Sequence, residues 1–288
     1  PPSGGGITLI QSLNILENKN FSKDDWGSSE YIHTVTEAFK FSFADRSKHL
    51  GDPDFYKVPT DKLISKVYAK ELFNKISDKA IPSNQINPGD FSILDESMET
   101  THYSIIDKDG NAVSTTTTIN SSYGSRVVVD GAGFLLNNEM DDFSSKPGEP
   151  NQFGLVGSEA NKIEPGKRML SSMTPTIITR NNKPVLILGS PGGSTIPTVV
   201  LQVILNYLDF GMDIQEAVNS PRFHHQWLPD KIDFEDFGIA KDVRENLIAK
   251  GQYIGQKKIL GRVEAIAVEN NLYLGATDPR GFGAAIGY

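Results

Sequence analysis

The sequence predicts an α+β protein in which helices cover antiparallel sheets. In the first third of the chain, apolar residues recur at helical spacing. The remainder contains β-prone runs that face each other across short turns. Strands joined by hairpins pair antiparallel, so these two observations favour α+β layers over a doubly wound parallel sheet.

The amino-acid composition is typical of a globular protein. Of its 288 residues, 38% are hydrophobic and 22% are charged, which is enough for a substantial core. The net charge is −8 and no run is rich in Lys or Arg, so we expect no nucleic-acid partner. No apolar run approaches the roughly 18 residues that cross a bilayer. The chain has no cysteine, which excludes disulfides, thiol nucleophiles and cysteine metal sites.

Three helices are predicted before residue 78. Apolar spacing indicates one helix over 7–18 and a longer one over 28–44, with Ser28 or Ser29 as its N-cap. A third helix is predicted over 60–76. The chain starts on PPSGGG without an initiating Met or a basic signal-peptide region, so we expect it to be the C-terminal part of a longer chain.

Strand signals begin at Thr100, after a polar linker over 78–99 that contains Pro and Gly. Residues 102–119 form two β-prone runs around a Lys-Asp-Gly-Asn turn, which predicts a hairpin. Similar patterns predict hairpins over 173–190 and 262–277.

Helices and one long loop separate these hairpins. Residues 194–210 predict an apolar helix closed by Gly211, followed by a short helix that Asp213 caps. Residues 241–251 predict a surface helix. The polar stretch 137–161 is a long loop, a feature that is usually functional or disordered.

Thr100 is a candidate nucleophile. A threonine hydroxyl needs a base beside it, and cleavage of the Glu99–Thr100 bond would place a new α-amine there. Such an amine has an unperturbed pKa of about 7.7–8.0, so it acts as a base near neutral pH. The alternative is a threonine-rich edge strand, because Thr favours strands.

The stretch LILGSPGGS is a candidate oxyanion site. An apolar strand runs into a turn ending in Gly192 and Gly193, where backbone N–H groups and a helix start favour negative charge. A phosphate loop is a competing interpretation, but the Gly-Lys-Ser/Thr ending of a nucleotide loop is missing. A simple strand-to-helix turn is the third.

Two clusters are candidate substrate contacts. Glu139, Asp141 and Asp142 suit an ammonium group through charge-assisted hydrogen bonds, although a calcium site or a solvated acidic loop is also consistent with them. Ser171 and Ser172 offer hydroxyl donors to a carboxylate.

The histidine pair at 224 and 225 suggests a metal site at first sight. Adjacent residues on a strand point to opposite faces, so we expect no metal there.

Taken together, five motifs resemble the γ-glutamyltransferase family, which comprises γ-glutamyltranspeptidases and glutathione hydrolases. The resemblance extends over essentially the whole chain. The motifs are TTHYS at 100–104, LLNNEMDDFS at 135–144, KRMLSSMTPTI at 167–177, LGSPGG at 188–193 and PRFHHQWLPD at 221–230.

The resemblance implies a self-cleaving proenzyme with a four-layer αββα N-terminal-nucleophile hydrolase fold. Residues 1–99 would end the large subunit, and 100–288 would form the small catalytic subunit. The cut would fall between Glu99 and Thr100. In the family, an arginine from an earlier part of the large subunit also binds the substrate α-carboxylate, and that part is missing from this sequence.

The resemblance also assigns catalytic roles. Thr100 would attack the γ-glutamyl carbonyl while its own amine accepts the proton, and Thr118 would support that amine and maturation. Gly192 and Gly193 would form the oxyanion hole. Thr101 and His102 are assigned to the strand, and His102 is not taken as the base.

Matching positions supply the substrate contacts. Asn120, Glu139 and Asp142 would hold the α-amino group of the donor, and Ser171 and Ser172 its α-carboxylate. The loop 144–158 would be a lid, with Phe153 at a position that is often aromatic in the family.

The predicted activity is cleavage of the γ-glutamyl bond of glutathione and related amides through a γ-glutamyl ester on Thr100. Water, an amino acid or a dipeptide would be the acceptor, and no cofactor or metal is implied. The missing part of the large subunit would be a partner, and the location would be periplasmic or secreted. Two alternatives stay open: a related amidase with another acyl donor, such as poly-γ-glutamate, and a non-catalytic binding protein. A nucleotide-binding protein is the weakest alternative.

Overall fold

A computed structural model describes residues 1–87 and 100–287. The α-helices are α1 Gly5–Leu16, α2 Ser29–His49, α3 Thr60–Leu63, α4 Lys66–Phe73, α5 Ile196–Leu208, α6 Ile214–Asn219 and α7 Lys241–Ala249. The strands are β1 Thr101–Ile106, β2 Ala112–Thr117, β3 Thr176–Arg180, β4 Lys183–Gly189, β5 Phe223–His224, β6 Ile232–Phe234, β7 Ile254–Lys257, β8 Glu264–Glu269 and β9 Leu272–Ala276. Within these described ranges, no helix is long and apolar enough to cross a membrane.

Capping side chains explain where the early helices begin. Ser28 is the N-cap of α2, because its hydroxyl accepts the Tyr31 N–H at 3.1 Å. The single helix predicted over 60–76 is wrong: the region forms α3 and α4. Ser65 separates them, since its extended backbone and its hydroxyl bond to the Tyr68 N–H at 3.0 Å start a new helix.

The three predicted hairpins are confirmed. β3, β4, β8 and β9 form one antiparallel sheet, in the order β3-β4-β8-β9, and β1 and β2 form a separate two-stranded ribbon. The ribbon packs against the sheet, and two side-chain hydrogen bonds connect the two. Ser104 donates to the Glu264 carbonyl at 3.2 Å, and Ser114 donates to the Leu188 carbonyl at 3.0 Å.

A third sheet was not predicted from the sequence. β5, β6 and β7 form it, and β6 pairs with β7 in parallel, so the second part of the chain is not made of antiparallel hairpins alone. β5 has two residues and β6 has three, which is too short for an alternating pattern to appear.

Strand β4 is buried on both faces of the four-stranded sheet from Leu186 to Gly189. Leu186 and Leu188 belong to the main apolar core together with α1, α2 and α5. Gly189 faces the β1–β2 ribbon instead, where a Cβ would come within 2.5 Å of His102 Nδ1. The described residues therefore stack as a helix layer, a sheet and a second β-layer, and the stacking brings the start of β1 next to the end of β4.

Candidate active site

Thr100 lies immediately before β1, and the strand pairing places it beside Thr118. Thr101 pairs with Thr117, so Thr100, which precedes β1, lies next to Thr118, which follows β2. The Thr100 hydroxyl donates to Thr118 Oγ1 at 3.4 Å, and Thr118 Oγ1 also accepts the Asn120 N–H at 2.8 Å. The other side of the predicted cut, Glu99, lies outside the described residues.

One cavity is lined by most of the residues that the sequence analysis predicted to form the site. It joins the start of β1, the end of β2, the acidic loop, the serine pair and the start of α5. Its lining is Thr100, Thr118, Asn120, Asp142, Phe153, Leu155, Leu170, Ser171, Ser172, Met173, Gly193 and Ile196. Two predicted site residues, Gly192 and Glu139, do not line this cavity, but each lies next to it in the chain or in space.

The glycine turn has a backbone that other residues rarely adopt. Gly192 has φ 138° and Gly193 has φ 51°, and Gly193 begins the short 3-10 turn that leads into α5. A Cβ on Gly192 would lie 2.6 Å from Thr195 Oγ1 and 3.2 Å from the Cα of Gly261. The turn is therefore restricted to glycine, and it holds the backbone of Gly193 against the same cavity as Thr100.

The acidic loop folds into a 3-10 turn, Glu139–Asp142, in which Glu139 is buried and Asp142 is partly buried. Burial, with the nearby charge of Glu139, raises the pKa of Asp142 to about 7, while Arg46 and Asp141 act on it in opposite directions. Burial also raises the pKa of Glu139. A cationic group entering the cavity would stabilise the ionised form of Asp142, which is what an ammonium site requires.

A hydrogen bond to the residue before the acidic turn holds Asn120 in place. Its amide Nδ2 donates to the Asn138 carbonyl at 3.1 Å, and its backbone has a positive φ of 75°. Asparagine adopts a positive φ more readily than most other residues with a side chain.

The serine pair is fixed by the beginning of the chain. Gly4 donates its N–H to the Ser171 carbonyl at 2.8 Å, and the Ser171 N–H donates to the Pro2 carbonyl at 3.1 Å. The Ser171 hydroxyl accepts the Met173 N–H at 3.2 Å. The segment before α1 thus positions two residues that lie far away in sequence.

Arg46 is a site residue that the sequence analysis missed. It lies in the last turns of α2 and is only 4% exposed, and its Nη2 donates to Ser172 Oγ at 2.9 Å. Arg46 lies in a polar stretch, ADRSKH at 44–49, so the helical pattern contains no signal for its burial.

The predicted lid packs over the cavity. Phe153 is buried in the main core, and its carbonyl accepts Gln226 Nε2 at 3.0 Å. Gln226 is in turn held by His224 Nε2 at 2.9 Å, and His224 Nδ1 lies 2.8 Å from Thr198 Oγ1 on α5. The motif around the histidine pair therefore anchors the lid loop.

The other histidines of interest have hydrogen-bonding roles. His102 Nδ1 lies 2.8 Å from Thr116 Oγ1 and its Nε2 lies 3.1 Å from Ser104 Oγ, while burial lowers its pKa to about 4. His225 Nε2 lies 3.2 Å from Asp230. Among residues 1–87 and 100–287, no group of His, Cys, Asp and Glu side chains is arranged to hold a metal.

Comparison with known proteins identifies relatives over nearly the whole chain. The γ-glutamyltranspeptidase family model matches residues 1–288. The chain is 50% identical over 283 residues to the glutathione hydrolase proenzyme of Escherichia coli K12, covering 97% of this chain and 48% of that protein.

The chain belongs to the γ-glutamyltranspeptidase family.

A second relative within the γ-glutamyltranspeptidase family has similar coverage. The glutathione hydrolase proenzyme of Pseudomonas aeruginosa is 48% identical over 291 residues, covering 99% of this chain and 51% of that protein. The chain therefore spans about half the length of these curated relatives.

Solved structures show the fold of the family. A γ-glutamyltranspeptidase variant from Helicobacter pylori is 58% identical with a TM-score of 0.62, covering 63% of this chain and 100% of that chain. The cephalosporin acylase of Bacillus halodurans is 27% identical with a TM-score of 0.81, covering 97% of this chain and 48% of that chain. The fold is the N-terminal-nucleophile hydrolase sandwich that the sequence resemblance implied.

Proposed function

We propose that this chain carries the catalytic part of a γ-glutamyl acyltransferase and hydrolase acting on glutathione and related γ-glutamyl amides. One observation carries the proposal. The Thr100 hydroxyl, hydrogen-bonded to Thr118 at 3.4 Å, opens onto a cavity that also contains Asp142, the serine pair and Gly193. A nucleophile, an ammonium site, a carboxylate site and oxyanion donors in one cavity match a γ-glutamyl donor.

The first half-reaction would form an ester on Thr100. The hydroxyl oxygen attacks the γ-carbonyl carbon as the free α-amine of Thr100 accepts the hydroxyl proton. The backbone N–H groups at Gly192 and Gly193 would stabilise the negative oxygen of the tetrahedral intermediate. As the amide C–N bond breaks, the protonated amine returns its proton to the leaving nitrogen, and the γ-glutamyl ester remains.

The second half-reaction would release the acyl group. Water, or the amine of an amino acid or dipeptide, attacks the ester carbonyl and gives its proton to the same α-amine. The C–O bond to Thr100 then breaks, and the hydroxyl recovers the proton. Hydrolysis yields glutamate, whereas transfer yields a new γ-glutamyl amide. Every catalytic group named in these steps belongs to the chain, so this scheme uses no cofactor.

Maturation would require a cut between Glu99 and Thr100, because the amine must be free before it can act as a base. Residues 1–99 would then remain as the end of the large subunit, and 100–288 would be the small subunit. Side-chain contacts across the cut, such as Arg46 with Ser172, support a lasting association of the two pieces.

The N-terminal part of the large subunit would be the main protein partner. The outer face of the β1–β2 ribbon exposes Tyr103, Ile105 and Val113, which is unusual for a sheet face without a covering layer. The relatives are about twice as long as this chain, so their additional half is the natural occupant. A periplasmic or secreted location is proposed from the family resemblance alone, and fractionation of producing cells would test it.

The test is Thr100→Ala in the full-length proenzyme, with Thr101→Ala as the matched control. We expect Thr100→Ala to stay uncut and to lose hydrolysis of a γ-glutamyl anilide by about a thousandfold or more, because the nucleophile is gone. Thr101 is exposed on β1, so Thr101→Ala should mature and react normally. Self-cleavage retained in Thr100→Ala, shown by gel and N-terminal sequencing, would refute the assignment.

Turnover of different substrates distinguishes the proposed function from the amidase alternative. If glutaryl or poly-γ-glutamyl substrates turn over faster than a γ-glutamyl anilide, the acyl donor has been assigned wrongly although the nucleophile stands.

A further inference from the structure

Arg46 occupies an unusual environment for a buried charge. It is 4% exposed. Within residues 1–87 and 100–287, its buried Nε has no hydrogen-bond partner and its Nη2 bonds only to the neutral hydroxyl of Ser172. No acidic side chain in the described part of the chain forms an ion pair with it; Asp142 acts on it from a longer range. A buried cation is costly unless it is paired. The folded protein leaves most of the hydrogen-bonding capacity of this guanidinium unused.

The Ser172 bond has a directional consequence. A guanidinium has donors and no acceptor, so the Ser172 oxygen must be the acceptor in this contact. The hydroxyl proton of Ser172 then has to point elsewhere. Ser172 lines the cavity that contains Thr100, and a hydroxyl held in this way presents its proton to an anionic acceptor in that cavity.

The charge of Arg46 acts in the same direction. Among the groups that influence Asp142, Glu139 and Asp141 oppose its ionisation and Arg46 favours it. Burial lowers the pKa of Arg46 to about 10, which leaves it charged at neutral pH. One cation behind the cavity therefore favours a carboxylate at Ser172 and an ionised partner for an ammonium at Asp142.

We propose that Arg46 is a positioning residue that fixes Ser172 as a hydrogen-bond donor to the α-carboxylate of the substrate. The ligand class, an α-amino acid with a free carboxylate, rests on the proposed function. Arg46 is distinct from the arginine that the family resemblance places in the missing part of the large subunit, because it acts through Ser172 from α2.

The experiment measures binding to the matured full-length protein by calorimetry, using two probes. L-Glutamate has the α-amino and α-carboxylate groups, whereas 4-aminobutanoate has the amine and lacks the α-carboxylate. For Arg46→Met we expect the Kd of glutamate to rise at least tenfold and that of 4-aminobutanoate to change less than threefold. Arg244→Met, an exposed change on α7, is the matched control and should leave both values unchanged.

A double substitution separates positioning from general packing. If Arg46 works through Ser172, then Arg46→Met should cause little further loss of glutamate affinity in a Ser172→Ala background. If Arg46→Met does not mature, Arg46→Lys replaces it, and glutamate binding should weaken at least threefold more than 4-aminobutanoate binding.

Equal weakening of both probes, or no change for glutamate, would overturn the role of Arg46. Absence of glutamate binding to the unmodified protein would overturn it as well. Binding that behaves as expected in a protein without γ-glutamyl hydrolysis would retain the role of Arg46 and reject the proposed function, so the two failures are distinguishable.

Discussion

Helix α2 buries two cations, Lys40 and Arg46, that have opposite surroundings. Lys40 Nζ contacts Glu37 Oε1 at 2.9 Å, the Ile81 carbonyl at 3.1 Å and Asp230 Oδ1 at 3.5 Å. Among the described residues, the side chain of Arg46 has a single hydrogen bond, to the hydroxyl of Ser172, and its buried Nε has no partner. The difference predicts that Lys40 stabilises the fold, whereas Arg46 has the binding role proposed above.

The Lys40 side of α2 is a closed network. Glu37 is fully buried, and its two oxygens also accept from Gln252 Nε2 at 2.9 Å and from the Ile81 N–H at 3.2 Å. An ammonium has three donors, and the three neighbours of Lys40 match them in number. Saturated buried networks of this kind make a conformation specific, and they penalise the loss of any member.

The largest expected effect is therefore on the Lys40 side. Lys40→Met should lower the free energy of unfolding by about 3–5 kcal/mol, because Glu37 would remain buried without its counter-ion. Urea unfolding of the matured protein measures this change. Lys241→Met, on the exposed surface of α7, is the control and should shift stability by no more than about 0.5 kcal/mol.

A double substitution tests the reason for that loss. Removing both charges, in Lys40→Met with Glu37→Leu, should recover much of the stability, since no uncompensated charge is left. A single Lys40→Met variant as stable as the parent would contradict the account of Lys40 as a structural charge.

The sequence predicted the frame of the site better than its buried charges. The β1–β2 hairpin and the Ser28 cap follow from local rules, because turn residues and caps act over a few positions. The burial of Lys40 and Arg46 was not predicted, because helix patterning treats charged residues as surface positions. Their partners, Asp230 and Ser172, lie far away in sequence, and periodicity contains no information about such contacts.

The cavity residues illustrate the same limit. Thr100, Asp142 and Ser172 were singled out by motif, and the fold brings them to one cavity. Residue patterns alone left several interpretations open for each motif, since a threonine run, an acidic loop and a serine pair are all common in proteins without a site. Only their convergence in space, which depends on sheet stacking, reduces these alternatives.

A medium effect is expected at Asp142, the anionic counterpart of Arg46 in the site. Its pKa is raised to about 7 mainly by burial, so the charged form that would hold an ammonium under the proposed function increases as pH rises through 7. We expect L-glutamate to bind several-fold more tightly at pH 8 than at pH 6. Asp142→Asn should abolish this dependence and weaken binding at pH 8 about tenfold.

Stability gives an independent check on Asp142, with the opposite sign. A raised pKa means that the folded state holds the proton more tightly than the unfolded state, so this group favours folding at low pH and loses that contribution as pH rises to about 7. Asp142→Asn should therefore gain stability relative to the parent at pH 8 and not at pH 4. A stability difference that is the same at pH 4 and pH 8 would show that folding does not raise the pKa of Asp142.

The smallest expected effect is the stability change at Arg46, and it decides whether the comparison within α2 holds. The guanidinium gives up its hydration for one hydrogen bond to a neutral hydroxyl, so Met at this position removes a desolvation penalty together with that bond. We expect Arg46→Met to unfold in urea within about 1 kcal/mol of the parent, with Arg244→Met as the control. A loss near that of Lys40→Met would make Arg46 a structural charge, and the contrast between the two ends of α2 would disappear. A stability change this small beside a tenfold loss of glutamate affinity is the pattern expected of a charge retained for binding.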